Sequence, residues 1–417
     1  MQRVVEQPTG RPRRTARLAY LVSHPIQYQA PLLRRIAQEP DIDLTVLFGS
    51  DFSVRGYKDE GFGVDVQWDV PLLDGYKHVF LPKLRDARTV SVASPLNYGI
   101  LSRLRGRRGE PGFDALWVHG YATVNTMHGM LAAKALGIPV LLRAESWLRD
   151  RGRSDGKLAV KRLFFMGLER LVDGVLPIGT FNSAYWSHYF GQNVPQFSMP
   201  YAVDNRYFEQ RAREAAAGRA GLQNELGLDP ARPVVLFASK LQERKHCDHL
   251  ISAYARLAPA RGGEPHPYLV IVGDGEQRAS LERQAAATGF ASIRFCGFRN
   301  QSELPRFFDL ATVFVLPSRH EPWGLIVNEV MSAGRPAIVS DDVGCGADLI
   351  EDGVNGFVYP AGDVGALANA LRRVLEPNGA AEAMGARAVE RMRTWSFEED
   401  VAGLRRALEH ATGWFVA

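Results

Sequence analysis

The chain has 417 residues, 46% of them hydrophobic, which is enough for two domains with ordinary cores. Lys+Arg 50 against Asp+Glu 46 leaves a net charge of +4, so bulk charge does not point to a nucleic-acid partner. Three scattered cysteines (Cys247, Cys296, Cys345) show no C-x-x-C or His-x-x-x-His spacing. With no apolar leader and no long uncharged apolar run, they predict a reduced, cytoplasmic, non-spanning protein with neither zinc site nor disulfide framework.

In chain order, residues 1–16 form a polar tail, expected to be disordered, and Arg17 to Val22 a strand. The loop from Ser23 to Pro31 carries His24 and leads through a helix (Leu32 to Gln38) to a strand (Asp43 to Phe48). In such a βαβ opening, ligands meet the C-terminal ends of the strands. His24 fits either a ligand-orienting role or a bond to local backbone. Residues 51–76 are a long excursion with little periodicity, and acceptor binding is the expectation there. Arg103, Arg105, Arg107 and Arg108 form a basic cluster that reads as a solvated turn, with a polyanion patch as the alternative. The strand from Asp114 ends on His119, where a site residue is expected. The strand from Pro139 leads to Arg143 and Glu145; Glu145 fits a proton acceptor or a structural ion pair with Arg143. Lys157 to Val172 predicts an amphipathic helix packed on the sheet. Peripheral contact with the inner membrane leaflet is the sharper alternative.

A second βα series begins at Pro233. Apolar runs at 233–238, 268–272, 293–296, 311–316 and 336–340 alternate with helical or loop segments, which predicts a parallel sheet covered on both faces. Lys240 and Lys245 follow its first strand, and Gly273 opens a tight turn after the second. The run from Ala311 to Leu316 ends at Pro317, and a helix is predicted from about 325 to 333, closed by Gly334 and Pro336. Its first amides, around Gly324 to Ile326, offer a seat for a phosphate. Glu321 and Glu329 frame that seat. Carboxylates beside a phosphate make sense if they accept hydrogen bonds from hydroxyls elsewhere on the same ligand, and a nucleotide sugar has both groups. Asp41 and Asp43 form a D-x-D triplet, but before a strand, so it reads as surface charge and no metal is expected.

Glu321 and Glu329 have the E-x7-E spacing. With the surrounding Pro-Ser-Arg-His-Glu-Pro-Trp-Gly-Leu-Ile-Val-Asn-Glu-Val-Met-Ser-Ala-Gly-Arg-Pro, the stretch closely resembles glycosyltransferase family 4. The resemblance implies an α/β GT-B fold, two doubly wound Rossmann-like domains facing across a cleft. It places an acceptor-side domain at 17–200, a hinge at 201–232, a donor-binding domain at 233–395 and a helix crossing back to the first domain at 396–417. It assigns the donor to Lys240, Lys245, Gly273, Gly297, Phe298, Trp323, Gly324, Leu325 and Glu329, with the two lysines on the diphosphate and Glu329 on the ribose. It puts Glu321 near the donor sugar, and His119, Glu145 and His24 beside the acceptor.

Three departures from the family pattern stand out. The first loop lacks the usual glycine pair, Lys240 replaces the usual Arg, and Glu145 stands where many relatives have a histidine. The implied reaction is transfer, with retention and without a metal, from a nucleoside-diphosphate sugar to a sugar, lipid-linked or small-molecule acceptor. A sugar-nucleotide epimerase and a non-catalytic nucleotide-sugar-binding subunit are the alternatives.

Overall fold

The short β-branched runs form parallel strands, and the central ones are buried on both faces. The computed structural model describes residues 14–59, 61–85, 89–106, 109, 111–149, 155–257, 266–376 and 379–414; most of the polar tail, Arg107 and Arg108 lie outside them. The first sheet comprises β1 (Ala16–Val22), β2 (Ile42–Phe48), β3 (Lys77–Phe80), β4 (Ala115–His119), β5 (Val140–Arg143) and β6 (Gly174–Val175). Its order is β6-β5-β4-β1-β2-β3, and every pairing is parallel. The second comprises β7 (Val234–Ala238), β8 (Tyr268–Val272), β9 (Ile293–Phe295), β10 (Val313–Leu316), β11 (Ala337–Ser340) and β12 (Gly356–Tyr359), ordered β9-β8-β7-β10-β11-β12 and again parallel throughout. Both have the doubly wound order in which the chain starts in the middle and winds out in each direction. Loops leaving the two central strands therefore diverge and open a crevice at the strand ends.

The segment expected to be the hinge, 201–232, carries two helices, Asn205–Ala215 and Arg219–Leu226. Phe208 and Leu222 join the core around β7 and β10. Asp204 caps the first of these helices by accepting from the Tyr207 amide at 3.0 Å.

The last helix, Phe397–Thr412, opens with a capping box between Ser396 and Glu399 and buries Phe397, Val401, Leu404 and Leu408 in the core of the first sheet. Arg405 on this helix holds Asp41 at 2.6 and 2.9 Å, and Asp41 is buried. The reading of Asp41 as surface charge is therefore corrected: it anchors the returning helix.

The helix Asp155–Glu169 buries Phe165 and Leu168 and leaves Val160, Leu163 and Met166 60–70% exposed (69%, 70% and 61%). Packing on the sheet accounts for only a narrow stripe of its apolar surface.

Candidate active site at the cleft between the two sheets

On the second-domain side, β10 runs into the loop that carries Glu321, and Gly324 (φ +96°) turns it into the helix Leu325–Ser332. Only glycine suits that conformation, because a Cβ there would also crowd Leu316 and Val343 at 3.0 and 3.1 Å. Among the described residues the amides of Leu325 and Ile326 have no acceptor, as expected for a first helical turn. His320, immediately before Glu321, takes a positive φ of 52°, a strained backbone for a histidine. The carbonyl of Arg149 in the first domain lies 3.2 Å from its Nδ1.

Both lysines are placed at this seat, but not as exposed loop cations. Lys245 is only 8% exposed, and its Nζ contacts Glu321 Oε2, which also accepts from Arg244 at 3.2 Å. Burial alone would raise the Glu321 carboxyl, but Lys245 and then Arg244 hold it below the ordinary carboxylate range. Lys240 donates to both oxygens of Asp59, at 2.7 and 2.9 Å.

Asp59 belongs to a short hairpin (Tyr57–Asp59 with Val64–Val66) in the 51–76 excursion. That excursion, for which acceptor binding is the expectation, crosses to loops of the second domain. Phe62 meets Phe298 edge-on at 4.8 Å, and Asn300 donates to the Gln67 carbonyl at 2.7 Å.

Glu329 is 8% exposed and has no hydrogen-bond partner among the described residues; burial pushes its carboxyl up to about 8. A buried, unpartnered carboxyl is a group that a bound hydrogen-bond donor could satisfy. Gly273 (φ +136°) would place a Cβ 1.9 Å from the Ser239 carbonyl, so its glycine is required by the packing of the two loops, and its amide donates to the Gly297 carbonyl at 2.8 Å. The side chain of Trp323, which the resemblance assigns to the donor, is engaged inside the protein. It is buried, donates to Asn328 at 2.9 Å and stacks on Trp395 at 5.4 Å between ring centres.

On the first-domain side, the ends of β1 and β4 bring His24 and His119 together, and the loop after β5 adds Glu145. Glu145 accepts from Tyr201 and, at 3.3 Å, from Tyr28; His119 Nε2 lies 3.7 Å away. Burial raises the Glu145 carboxyl, with the two tyrosine hydroxyls opposing it. Glu145 forms no ion pair with Arg143. The guanidinium turns away, donating to the carbonyls of Met199 and Pro200 and, at 3.2 Å, to Asp400.

Burial lowers His119 to about 3, helped by Arg143, and lowers His24 to about 4, so both rings are neutral at pH 7. Gln29 lies 3.3 Å from His119 and itself accepts from Tyr20 at 2.8 Å. His24 lies 2.9 Å from the Ser23 hydroxyl and packs on Phe52.

Asp59, Arg244, Tyr28, Tyr201 and Gln29 were not singled out from the sequence. Arg244 sits one residue before Lys245 and Tyr201 at the hinge, so position offered a signal for those two; nothing local marks Asp59. A further group, His246, Asp248 and His249, starts the helix after Lys245, with one ligand atom from each lying within 4.8 Å of the others. Two imidazoles and a carboxylate suit a transition metal, a spacing the His-x-x-x-His criterion does not detect.

Two Rossmann-like sheets with their strand ends turned toward one cleft define the GT-B architecture. Anabaena HepE, solved in complex with UDP and glucose, superposes with a TM-score of 0.70 at 18% identity over 94% of this chain and 99% of its own. Sucrose-phosphate synthase of Thermosynechococcus elongatus gives 0.67 at 18% identity, with 94% and 98% coverage. Residues 219–391 match the family model described as "Glycosyl transferases group 1".

Among characterised sequences, the chain is 35% identical to alpha-D-kanosaminyltransferase of Streptomyces kanamyceticus over 164 residues, 39% of this chain and 41% of that protein. It is 27% identical to D-inositol 3-phosphate glycosyltransferase of Streptomyces griseus over 326 residues, 72% of this chain and 67% of that protein. The first of these alignments spans less than half the relative's length.

Proposed function

We propose that the protein is a glycosyltransferase of family 4 type, moving a sugar from a nucleoside-diphosphate sugar to an acceptor hydroxyl in polysaccharide, glycolipid or other glycoconjugate synthesis. The observation that carries this is the placement of Lys240, Lys245, Glu321 and Glu329 at the central strand ends of one sheet, opposite Glu145, His119 and His24 at those of the other. The UDP-bound relative of the same fold supports a nucleotide-sugar donor.

Breaking the bond from the anomeric carbon to the diphosphate builds negative charge on the leaving oxygen. Lys240, Lys245 and the amides of Leu325 and Ile326 are placed to stabilise it, so no metal is required. The diphosphate competes with Glu321 for Lys245 and so frees Glu321 toward the sugar. Glu329 accepts from the ribose hydroxyls. The acceptor hydroxyl, held by Glu145, attacks from the face the diphosphate leaves, and its proton passes to the departing diphosphate oxygen, giving retention. Neutral His119 and His24 contribute hydrogen bonds rather than charge. Gly297 and Phe298 border the space for the base.

Among the described residues no helix is long and apolar enough to cross a membrane. The location we propose is the cytoplasm or the cytoplasmic face of a membrane.

A panel of nucleotide sugars, followed for nucleoside diphosphate release and glycoside formation with and without acceptors, tests this reading. Acceptor-dependent glycoside formation supports it. Donor-sugar interconversion without acceptor would establish an epimerase, and binding without turnover a silent subunit. Loss of activity in EDTA, restored by magnesium or manganese, would overturn the metal-free diphosphate site and turn attention to His246, Asp248 and His249.

A further inference from the structure

A groove of about 1450 Å³ lies between the helices Val124–Ala135 and Asp155–Glu169 of the first domain. Its inner end is lined by Glu145 and by His320 and Pro322, the two residues flanking Glu321, so it opens onto the proposed point of transfer. Its outer walls are apolar and unusually exposed: Val160 is 69% exposed, Leu131 54%, Val124 44% and Phe164 39%.

Apolar surface gathered at this density on one face of a folded domain marks a binding site rather than scattered exposure. Lys157 and Lys161 stand on the same wall, and Lys161 is held over the rings of Tyr185 and Tyr189 at 4.8 and 4.7 Å. Glu145, at the inner end, is the one acidic residue among the described residues lining the groove. The groove thus combines a carboxylate beside the proposed reaction centre with two cations interleaved with hydrocarbon open to solvent.

That combination matches an amphiphile with a hydroxyl head, an anionic linker and a long apolar tail. We propose that the groove is the acceptor site for a lipid-linked acceptor, with its hydroxyl at Glu145, a phosphate-type linker near Lys157 and Lys161, and its hydrocarbon chain between the two helices. This rests on the glycosyltransferase reading only in assigning the occupant as acceptor; the tail site itself is a binding claim that needs no turnover. A free polar sugar would leave the apolar walls wet, whereas each methylene buried in them adds roughly threefold to fourfold in affinity.

The test is calorimetric titration of the full chain with inorganic phosphate, butyl phosphate and dodecyl phosphate, the last kept below its micelle concentration, beside a titration with nucleoside diphosphates. Dodecyl phosphate should bind at least about a hundredfold more tightly than butyl phosphate. The exposed double variant Leu131→Asp/Val160→Asp should lose that advantage while keeping its circular dichroism spectrum and its nucleoside diphosphate affinity. Equal binding of the butyl and dodecyl compounds, or dodecyl binding unchanged in the double variant, would overturn the proposal. Sedimentation with anionic vesicles but no uptake of monomeric dodecyl phosphate would also overturn it, in favour of a membrane-docking face. Nucleoside diphosphates that fail to bind the unmodified chain count against the donor site alone and leave the groove to be judged by its own titration.

Discussion

Lys240 of the second domain and Asp59 of the first are ion-paired across the cleft, with Nζ 2.7 and 2.9 Å from the two carboxylate oxygens. Asp59 is fixed for this by the amides of Gly61 and Phe62, which donate to it at 2.8 and 3.0 Å. A cation proposed for the diphosphate is therefore already neutralised, and a diphosphate bound there would compete with the hairpin for it. The same holds for Lys245 and Glu321. Each proposed phosphate-binding lysine carries a carboxylate in place of the phosphate.

Asp59→Asn should consequently tighten nucleoside diphosphate binding. The side chain keeps an acceptor for the two amides but no longer competes for Lys240, and a partly exposed pair of this kind is worth up to about 1 kcal/mol, or roughly fivefold. Calorimetry decides the matter: affinity that falls or stays unchanged would show that the pair does not oppose the donor.

Glu321 and Glu329 should respond in different ways. Glu329→Ala removes the proposed partner of the ribose and should raise the donor KM and weaken nucleoside diphosphate binding, as lost uniform binding does. Glu321→Ala should lower kcat more than it raises KM, because its partner is the sugar where charge develops. It also releases Lys245 for the diphosphate, so nucleoside diphosphate affinity should hold or improve. Equal weakening by both substitutions would refute the division.

Glu329 also predicts a pH dependence. Its carboxyl is raised from an ordinary 4.5 to about 8 in the folded protein, by burial. The folded state therefore holds its proton more tightly than the unfolded chain does, and the stability so gained is complete below about pH 4.5 and lost as pH rises through about 8. Glu329→Gln should match the unmodified protein near pH 4.5 and become progressively more stable than it up to about pH 8, by on the order of 5 kcal/mol. Ribose hydroxyls bind the ionised form, so nucleoside diphosphate affinity of the unmodified protein should rise with pH up to about 8. Thermal melts and titrations across that range check both; flat profiles would contradict the buried, unpartnered carboxyl.

Arg143 and Asp400, both almost fully buried, tie the returning helix to the first sheet at 3.2 Å. Asp400→Ala strands the guanidinium and should cost about 3–5 kcal/mol, measured by denaturant unfolding. A loss below about 1 kcal/mol would mean that the carbonyls of Met199 and Pro200 suffice for Arg143.

Lys245→Ala combines two effects. It should weaken nucleoside diphosphate binding roughly 10- to 150-fold, the value of one charge-assisted contact of about 1.5–3 kcal/mol. Because Lys245 is buried against Glu321, it should also lower the melting temperature, which the removal of an exposed loop lysine would not do. Unchanged affinity would remove Lys245 from the donor site.

What was legible in the sequence was what neighbouring residues decide. The run Val313–Leu316, the loop after it and the helix Leu325–Ser332 follow from β-branching, proline and helical spacing within about 20 residues, and they place Glu321 and Glu329 at one strand end. Alternation of apolar runs likewise carried the two parallel sheets, and the strand ends carried His24, His119 and Lys240.

Tertiary structure alone decided the pairings. Nothing near Lys240 announces Asp59, which lies 181 residues away. Nothing near Arg143 announces Asp400, 257 residues on, so whether Arg143 would pair with Glu145 was open until the returning helix was in place. The burial of Lys245, Glu329 and Trp323 is of the same kind. A side chain's solvation, and with it its charge state, depends on which distant segments close over it, whereas strand, turn and helix depend on torsional preference and periodicity that each short stretch carries within itself.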